Sequence, residues 1–382
     1  MLELTGTQEA FRAQVERFAA EEIAPHATAW DAEDRYPVEM FTRLGALGWL
    51  GVGYPEEVGG AGGGPVERCL LIEGLARASA GVALGIYTHT ALAAGALAEV
   101  AAPELRDRFL PGLLAGERTG AWAYAEPDAG ADVTRARLAA RRDGDRWVLS
   151  GSKLYCTNGT FADLILVVVR TGHEPGRLRG LGVIAVDGDS PGLTRTGMAK
   201  VGMRPSELGE LHFDDVVVPA DRMVGEPDTG FRSCLAVLSR GRVLGGALAL
   251  GLAGAALDAA TTHVVGREQF GGPLAELQAV RFILADMTAR LRAARALVYG
   301  AAAAMAEGRP FDTDASIAKL VASEAATWIA ERAMHLHGAQ GFMLESPVQR
   351  YYRDCKVLEY GEGANEVQRE LIAKARVLGY RP

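Results

Sequence analysis

The sequence predicts an α+β protein in three consecutive blocks: helical, antiparallel β, then helical again. Up to about residue 116, apolar residues recur at spacings of three and four between Pro and Gly breaks. From 119 to 228 the chain divides into short runs rich in branched residues and bounded by turns, and from 230 onward long helical stretches return. Strands gathered in one block, instead of alternating with helices, argue against a doubly wound dinucleotide-binding sheet, so NAD is not an expected cofactor. The expected domains are an N-terminal helical domain at 1–118, a middle antiparallel β domain at 119–228 and a C-terminal four-helix-bundle domain at 229–382.

In the first block the helical pattern covers 8–24, 37–50, 66–79 and 103–116. Residues 54–67, YPEEVGGAGGGPVE, read as a flexible Gly-rich loop that lacks both a preceding strand and the GxGxxG spacing of a nucleotide fingerprint. In the middle, 135–155 consists of two alternating runs joined by Asp143, Gly144 and Asp145, a hairpin signal, and 162–171, 181–188 and 208–219 are further strands. Gly180 to Ala185 matches GxGxxA by letters but leads into a strand, which removes its mechanical basis as a phosphate loop. Long helices are expected at 231–263, 274–306, 314–337, 347–358 and 365–378.

Hydrophobic residues make up 49% of the 382 and charged residues 23%, a balance that excludes a disordered chain. The net charge of -8 argues against nucleic acid or an anionic membrane as a partner. No basic segment followed by an apolar one opens the sequence, so a cytoplasmic location is expected. The longest uncharged apolar run, 243–257, is shorter than the roughly 20 residues of a membrane span and, being rich in Gly and Ala, reads as a closely packed interior helix. Cys69, Cys156, Cys234 and Cys355 are scattered without metal-ligand spacing, so reduced thiols and no metal site are expected.

One carboxylate stands apart. Glu362 lies between Gly361 and Gly363 in an otherwise helix-forming stretch, where each glycine costs about 0.5–1 kcal/mol relative to alanine. The plain explanation is a loop entering a last helix, with Asn365 as N-cap and Gln368 completing a capping box. The alternative is a backbone that turns sharply to present Glu362 to a ligand.

Six segments decide between these. AYAEPDAGADV (123–133), GSKLYCTNGTFAD (151–163), KVGMRPSELGELHFDDVVVP (200–219), GREQFGGPLAELQAV (266–280), HLHGAQGF (335–342) and EGANEVQR (362–369) resemble, in order and spacing, the acyl-CoA dehydrogenase family of FAD-dependent flavoproteins. The resemblance covers essentially the whole chain. It implies α,β-dehydrogenation of an acyl thioester, in which a carboxylate removes the α-proton while the β-hydrogen leaves as hydride for the flavin. Such a base must be desolvated to raise its pKa, and the thioester carbonyl needs hydrogen-bond donors. Glu362 matches the family's base, and Gly363 would let its N–H approach the substrate carbonyl. Some members carry the base elsewhere, just before an arginine; here that position is Gly241, ahead of Arg242.

The resemblance also implies a FAD site. Trp122, Tyr124, Ala125 and Ala131 match the flavin-facing strand and loop, with Ala131 also near substrate, and Tyr155 and Thr157 match the ring region. Arg267, Phe270, Gln278, His335, His337, Gly338, Gln340, Ala364 and Asn365 would complete the site. In the family several of these reach a neighbouring subunit's FAD, which implies a homodimer or homotetramer. Ser239, Arg242 and Gly363 match substrate-side positions, and an electron-transfer flavoprotein is the implied electron acceptor.

Four departures mark this chain. Ala125, Ala131 and Ala364 stand where members carry hydroxyls, each worth about 0.5–1.5 kcal/mol as a net hydrogen bond. Ser239 replaces an acid near the thioester carrier, which keeps an acyl-carrier-protein thioester open beside acyl-CoA. An acyl-CoA oxidase using oxygen is the nearest rival reading. A monooxygenase or a non-catalytic flavoprotein on the same scaffold is another, against which Glu362 counts.

Overall fold

The computed structural model describes residues 3–172 and 176–378. The N-terminal block contains the helices Gly6–Phe18, Ala27–Glu33, Glu39–Ala46, Pro65–Ala78, Ala80–Tyr87, Ala94–Val100 and Pro103–Leu114. Local chemistry sets their starts: Thr5 and Gln8 form a capping box, and Pro65 and Pro103 occupy first helical turns, where a missing N–H costs nothing. Between Ala80–Tyr87 and Ala94–Val100 the helix widens into a π turn at Thr88–Ala93, a distortion often found at functional sites.

The middle block is one sheet of seven strands: β1 (Gly120–Ala123), β2 (Ala139–Asp143), β3 (Arg146–Thr157), β4 (Leu164–Arg170), β5 (Leu181–Asp187), β6 (Leu193–Gly197) and β7 (Leu208–Pro219). Its order is β1-β4-β2-β3-β7-β6, with β5 also on β4. Most pairings are antiparallel, and β4 meets β1 and the end of β2 in parallel. The expected hairpin forms, with Asp143 opposite Arg146 and Gly144 supplying φ +61°. Strand β4 is buried along its whole length, which explains its unbroken LILVVVR run.

His89 joins the two blocks. Its Nδ1 accepts from the Gly120 N–H at 2.9 Å and its Nε2 donates to the Leu113 carbonyl at 3.0 Å.

In the C-terminal block Leu235–Gly266, Gln278–Ala306, Asp312–His337 and Asn365–Leu378 are the long helices. The stretch expected as one helix at 347–358 is two short ones, Pro347–Asp354 and Val357–Tyr360. Leu235–Gly266 packs against Asp312–His337, Gln278–Ala306 and, across the blocks, Pro65–Ala78. Its glycines allow this: a Cβ on Gly251 would fall 2.3 Å from the Glu73 carbonyl oxygen, and one on Gly246 would fall 2.8 Å from Val298. Among the described residues two helical stretches, Ala80–Val100 and Gly230–Gly266, are long and apolar enough to cross a membrane by length and composition alone, but 94% and 78% of their apolar windows are buried within the fold.

Candidate active site

Glu362 lies in the turn between Val357–Tyr360 and Asn365–Leu378, and the backbone there differs from the simplest expectation. Gly361 is extended, at φ -69° and ψ 158°, a conformation any residue adopts. The left-handed residues are Glu362 itself, at φ +57°, and Gly363, at φ +80°. A glutamate in that region stores about 1–3 kcal/mol of strain that its surroundings must offset.

Lys319 supplies much of the restraint. Only 3% exposed, its Nζ donates at 2.9 Å to both the Gly363 carbonyl and Asn365 Oδ1, and at 3.4 Å to the Glu359 carbonyl. Ser323 Oγ donates to the same Asn365 oxygen at 3.2 Å. Gln368 Nε2 turns back to the Gly363 carbonyl at 2.9 Å and the Glu362 carbonyl at 3.3 Å. The capping box considered for Asn365 and Gln368 is therefore not formed; both side chains tie down the turn, Asn365 as an acceptor.

The strained turn aims the Glu362 carboxylate inward. Its Oε2 is buried and, among the described residues, completes no hydrogen bond of good geometry, and neither does the buried hydroxyl of Tyr87, which acts on it as a donor. Both atoms border the space left by Gly241, where a Cβ would lie 3.1 Å from Glu362 Oε2, 2.9 Å from Tyr87 Oη and 3.3 Å from Leu92. Gly241, the alternative base position, is thus adjacent to the carboxylate it would replace. Burial raises the Glu362 carboxyl above the ordinary glutamate value, against the opposing influence of Tyr87, Arg242 and Lys319. Burial, reinforced by Glu362, also pushes the Tyr124 phenol up to about 12. Arg242 Nη1 donates to Ser239 Oγ at 3.3 Å, which brings these two expected substrate-side residues to the edge of the same cluster. A desolvated carboxylate without a hydrogen-bond partner, flanked by cations that keep it partly ionisable, suits general-base chemistry.

The expected flavin residues fall into two groups. In the first, Tyr155 and Thr157 lie on β3, where a register shift against β7 between Lys153 and Cys156 throws Tyr155 into φ +57° and leaves it 60% exposed. Tyr124 and Ala125 adjoin them, because the Leu154 N–H donates to the Ala125 carbonyl at 2.8 Å; Ala131 is exposed on the loop beyond. That loop is pinned by a buried pair, Lys153 Nζ to Glu126 Oε1 at 2.7 Å, with the Tyr124 carbonyl accepting from the same lysine at 3.0 Å. Trp122 sits deeper in the core than a ring-facing role suggests, 7% exposed, with its indole N–H buried and unpartnered.

The second group lies at the junctions of the long C-terminal helices and does not reach Glu362. Arg267, Gln278, His335, Gly338 and Gln340 are exposed there, and His337 stacks on His263 with ring centroids 4.1 Å apart. Phe270 is 91% exposed at φ +55°, in a tight turn between two-residue strands. Asn365 belongs to the Lys319 anchor, beside the half-buried Ala364. Of the seven described non-glycine residues with positive φ, three, Tyr155, Phe270 and Glu362, are among those singled out from sequence, each at a separate place in the chain.

Sequence reasoning passed over Lys319 and Tyr87. Each carried a signal: a lone lysine in the small-residue run ASIAKLVASEAA (315–326), and a tyrosine in the apolar run GVALGIYTHTALAAGAL (81–97).

Comparison with known proteins agrees over the full length. Family models for the acyl-CoA dehydrogenase N-terminal, middle and C-terminal domains match residues 5–117, 121–216 and 228–377. The mitochondrial short-chain specific acyl-CoA dehydrogenase of Bos taurus is 36% identical, over 100% of this chain and 92% of that protein. The structure of butyryl-CoA dehydrogenase from Megasphaera elsdenii superposes with a TM-score of 0.95 at 36% identity, covering 99% of this chain and 100% of that one. A chain from the structure reported as the electron transferring flavoprotein of Acidaminococcus fermentans superposes at 0.96 with 31% identity, covering 99% of each. With all three domains matched and relatives this similar over the full length, the chain belongs to the acyl-CoA dehydrogenase family, oxidoreductases that act on a CH–CH bond of an acyl thioester.

Proposed function

We propose that the chain catalyses FAD-dependent α,β-dehydrogenation of an acyl thioester with Glu362 as the base. The observation that carries this reading is the buried Glu362 Oε2 held on a strained backbone. Burial raises its affinity for a proton, which suits it to take the α-proton. The α C–H bond gives its proton to Glu362, the β-hydrogen leaves with its electron pair, and the α,β double bond remains.

The residues present fit a flat aromatic cofactor. Tyr155 is exposed from a bulge beside Thr157, and Tyr124 and Ala125 adjoin it. FAD, when bound there, supplies the hydride acceptor. Tyr155, Thr157, Tyr124, Ala125 and Ala131 would hold it from this subunit. Arg267, Phe270, Gln278, His335, His337, Gly338 and Gln340, exposed or half-buried and remote from Glu362, would contribute to a neighbour's site in a homodimer or homotetramer. The resemblance to butyryl-CoA dehydrogenase supports a short acyl chain, and the Acidaminococcus structure supports an electron-transfer flavoprotein as the redox partner.

The test is anaerobic flavin bleaching by a panel of acyl-CoA and acyl-carrier thioesters, with parent protein and Glu362→Gln. The variant should retain FAD and thioester binding while bleaching slows by about 10²–10⁴-fold. Bleaching within about threefold of the parent would place the base elsewhere.

A further inference from the structure

Tyr87 closes the helix Ala80–Tyr87 at the entrance to the π turn, and only 1% of it is exposed. A hydroxyl that deep in a core normally has a partner, yet among the described residues this one completes no hydrogen bond of good geometry. The group close enough to act on it as an acceptor is Glu362 Oε2, which borders the same gap that Gly241 leaves by lacking a side chain. Two buried oxygens, one able to donate and the other to accept, therefore border one space. Three other groups act on the carboxylate: Lys319, occupied by the turn's acceptors, Arg242, whose Nη1 is held by Ser239 while its Nε is itself buried without a partner among the described residues, and Tyr124, whose ring lies 5.8 Å from that of Phe231.

On the reading that Glu362 is the base, we propose that Tyr87 is its positioning residue: the phenol hydroxyl donates to the ionised Oε2, fixing the carboxylate rotamer and favouring its charged form until the α-proton arrives. Proton transfer to Oε2 removes the reason for that bond and releases the phenol. The π turn contributes by setting where the Tyr87 helix ends, so the hydroxyl meets a carboxylate arriving from the far end of the chain.

Tyr87→Phe removes the hydroxyl and little else, so the holoenzyme should fold and retain FAD. A charge-assisted hydrogen bond is among the stronger kinds, so its loss should move the ascending limb of the pH profile for flavin reduction upward by about one pH unit and slow reduction at neutral pH about tenfold. The KM for the best thioester should stay within about twofold of the parent's, since the bond forms to the base and not to substrate. A readout free of turnover is the melting temperature as a function of pH. Tyr87→Phe should lose stability relative to the parent as pH rises and Glu362 ionises, and in a Glu362→Gln background that pH-dependent loss should vanish. An unmoved pH profile, with or without a slower rate, would overturn the proposal, because repacking alone accounts for a simple slowing. The control separates the two readings: if Glu362→Gln bleaches at the parental rate, the base assignment fails; if it is slow while Tyr87→Phe is parental in rate and pH profile, only the role of Tyr87 fails.

Discussion

Gly241 and Glu362 border one space from opposite sides, with a Cβ on the glycine falling 3.1 Å from Glu362 Oε2. The glycine is the condition for the carboxylate's position. Gly241→Ala should fold, since alanine favours the helix by about 1 kcal/mol, which offsets part of the crowding. It should nonetheless slow flavin reduction by about tenfold or more by displacing the carboxylate and the Tyr87 hydroxyl. The exchange Gly241→Glu with Glu362→Gly should recover part of the reduction lost in Glu362→Gly alone. No recovery in anaerobic stopped-flow would show that the two positions do not reach the same substrate carbon.

Glu362→Gly separates stability from catalysis at one residue. Glycine adopts φ +57° without strain, and a buried carboxylate is removed as well. The variant should be more stable by about 1 kcal/mol, a rise of about 1–2 °C in melting temperature, while thioester-driven bleaching is lost. A melting temperature below the parent's would mean that the left-handed glutamate is held without cost.

Lys319→Met tests the anchor beneath the turn. Its loss takes one donor each from the Gly363 carbonyl and Asn365 Oδ1, which keep Gln368 and Ser323, and should cost about 1–2 kcal/mol in denaturant unfolding. Bleaching should slow even though Glu362 is unchanged, because the base sits on the loosened segment. Parental stability would show that the turn holds itself.

The raised Glu362 carboxyl sets a pH signature with a definite sign. Flavin reduction should increase along a limb lying above the ordinary glutamate value of about 4.3, and Glu362→Gln should lack that limb. In stability the folded carboxyl retains its proton where the unfolded one has lost it, so its contribution is full below the unfolded value and declines as pH rises through the folded one. The melting temperature of Glu362→Gln should therefore gain on the parent's across that window. A constant difference would place the carboxyl at its ordinary value.

The block order and the Asp143–Arg146 hairpin were legible in the sequence because each depends on local periodicity or turn chemistry. The break between Asp354 and Val357 was not, since nothing in residues 347–358 forbids a continuous helix and the interruption is set by packing. At the site, motif register singled out Glu362, Tyr155 and Phe270, three residues that the fold strains. Lys319 and Tyr87 escaped because their roles lie in contacts across long sequence separations, about 40 residues from Lys319 to Gly363 and several times that from Tyr87 to Glu362, which periodicity does not record. The glycines at 361 and 363 pointed to the right turn but to the wrong bearer of its strain.

The bridge made by His89 works in only one protonation state. Gly120 presents an N–H and Leu113 a carbonyl, so the imidazole must be neutral with its proton on Nε2; a second proton would face the Gly120 N–H head-on. Burial holds the ring down to about 4 from its ordinary 6.5, so the folded protein resists a proton that the unfolded chain accepts. Its stabilising contribution is complete above about 6.5 and fades as pH falls toward 4. This contact between the helical block and the sheet is thus an acid-release catch, secure at neutral pH and weakened by acidification.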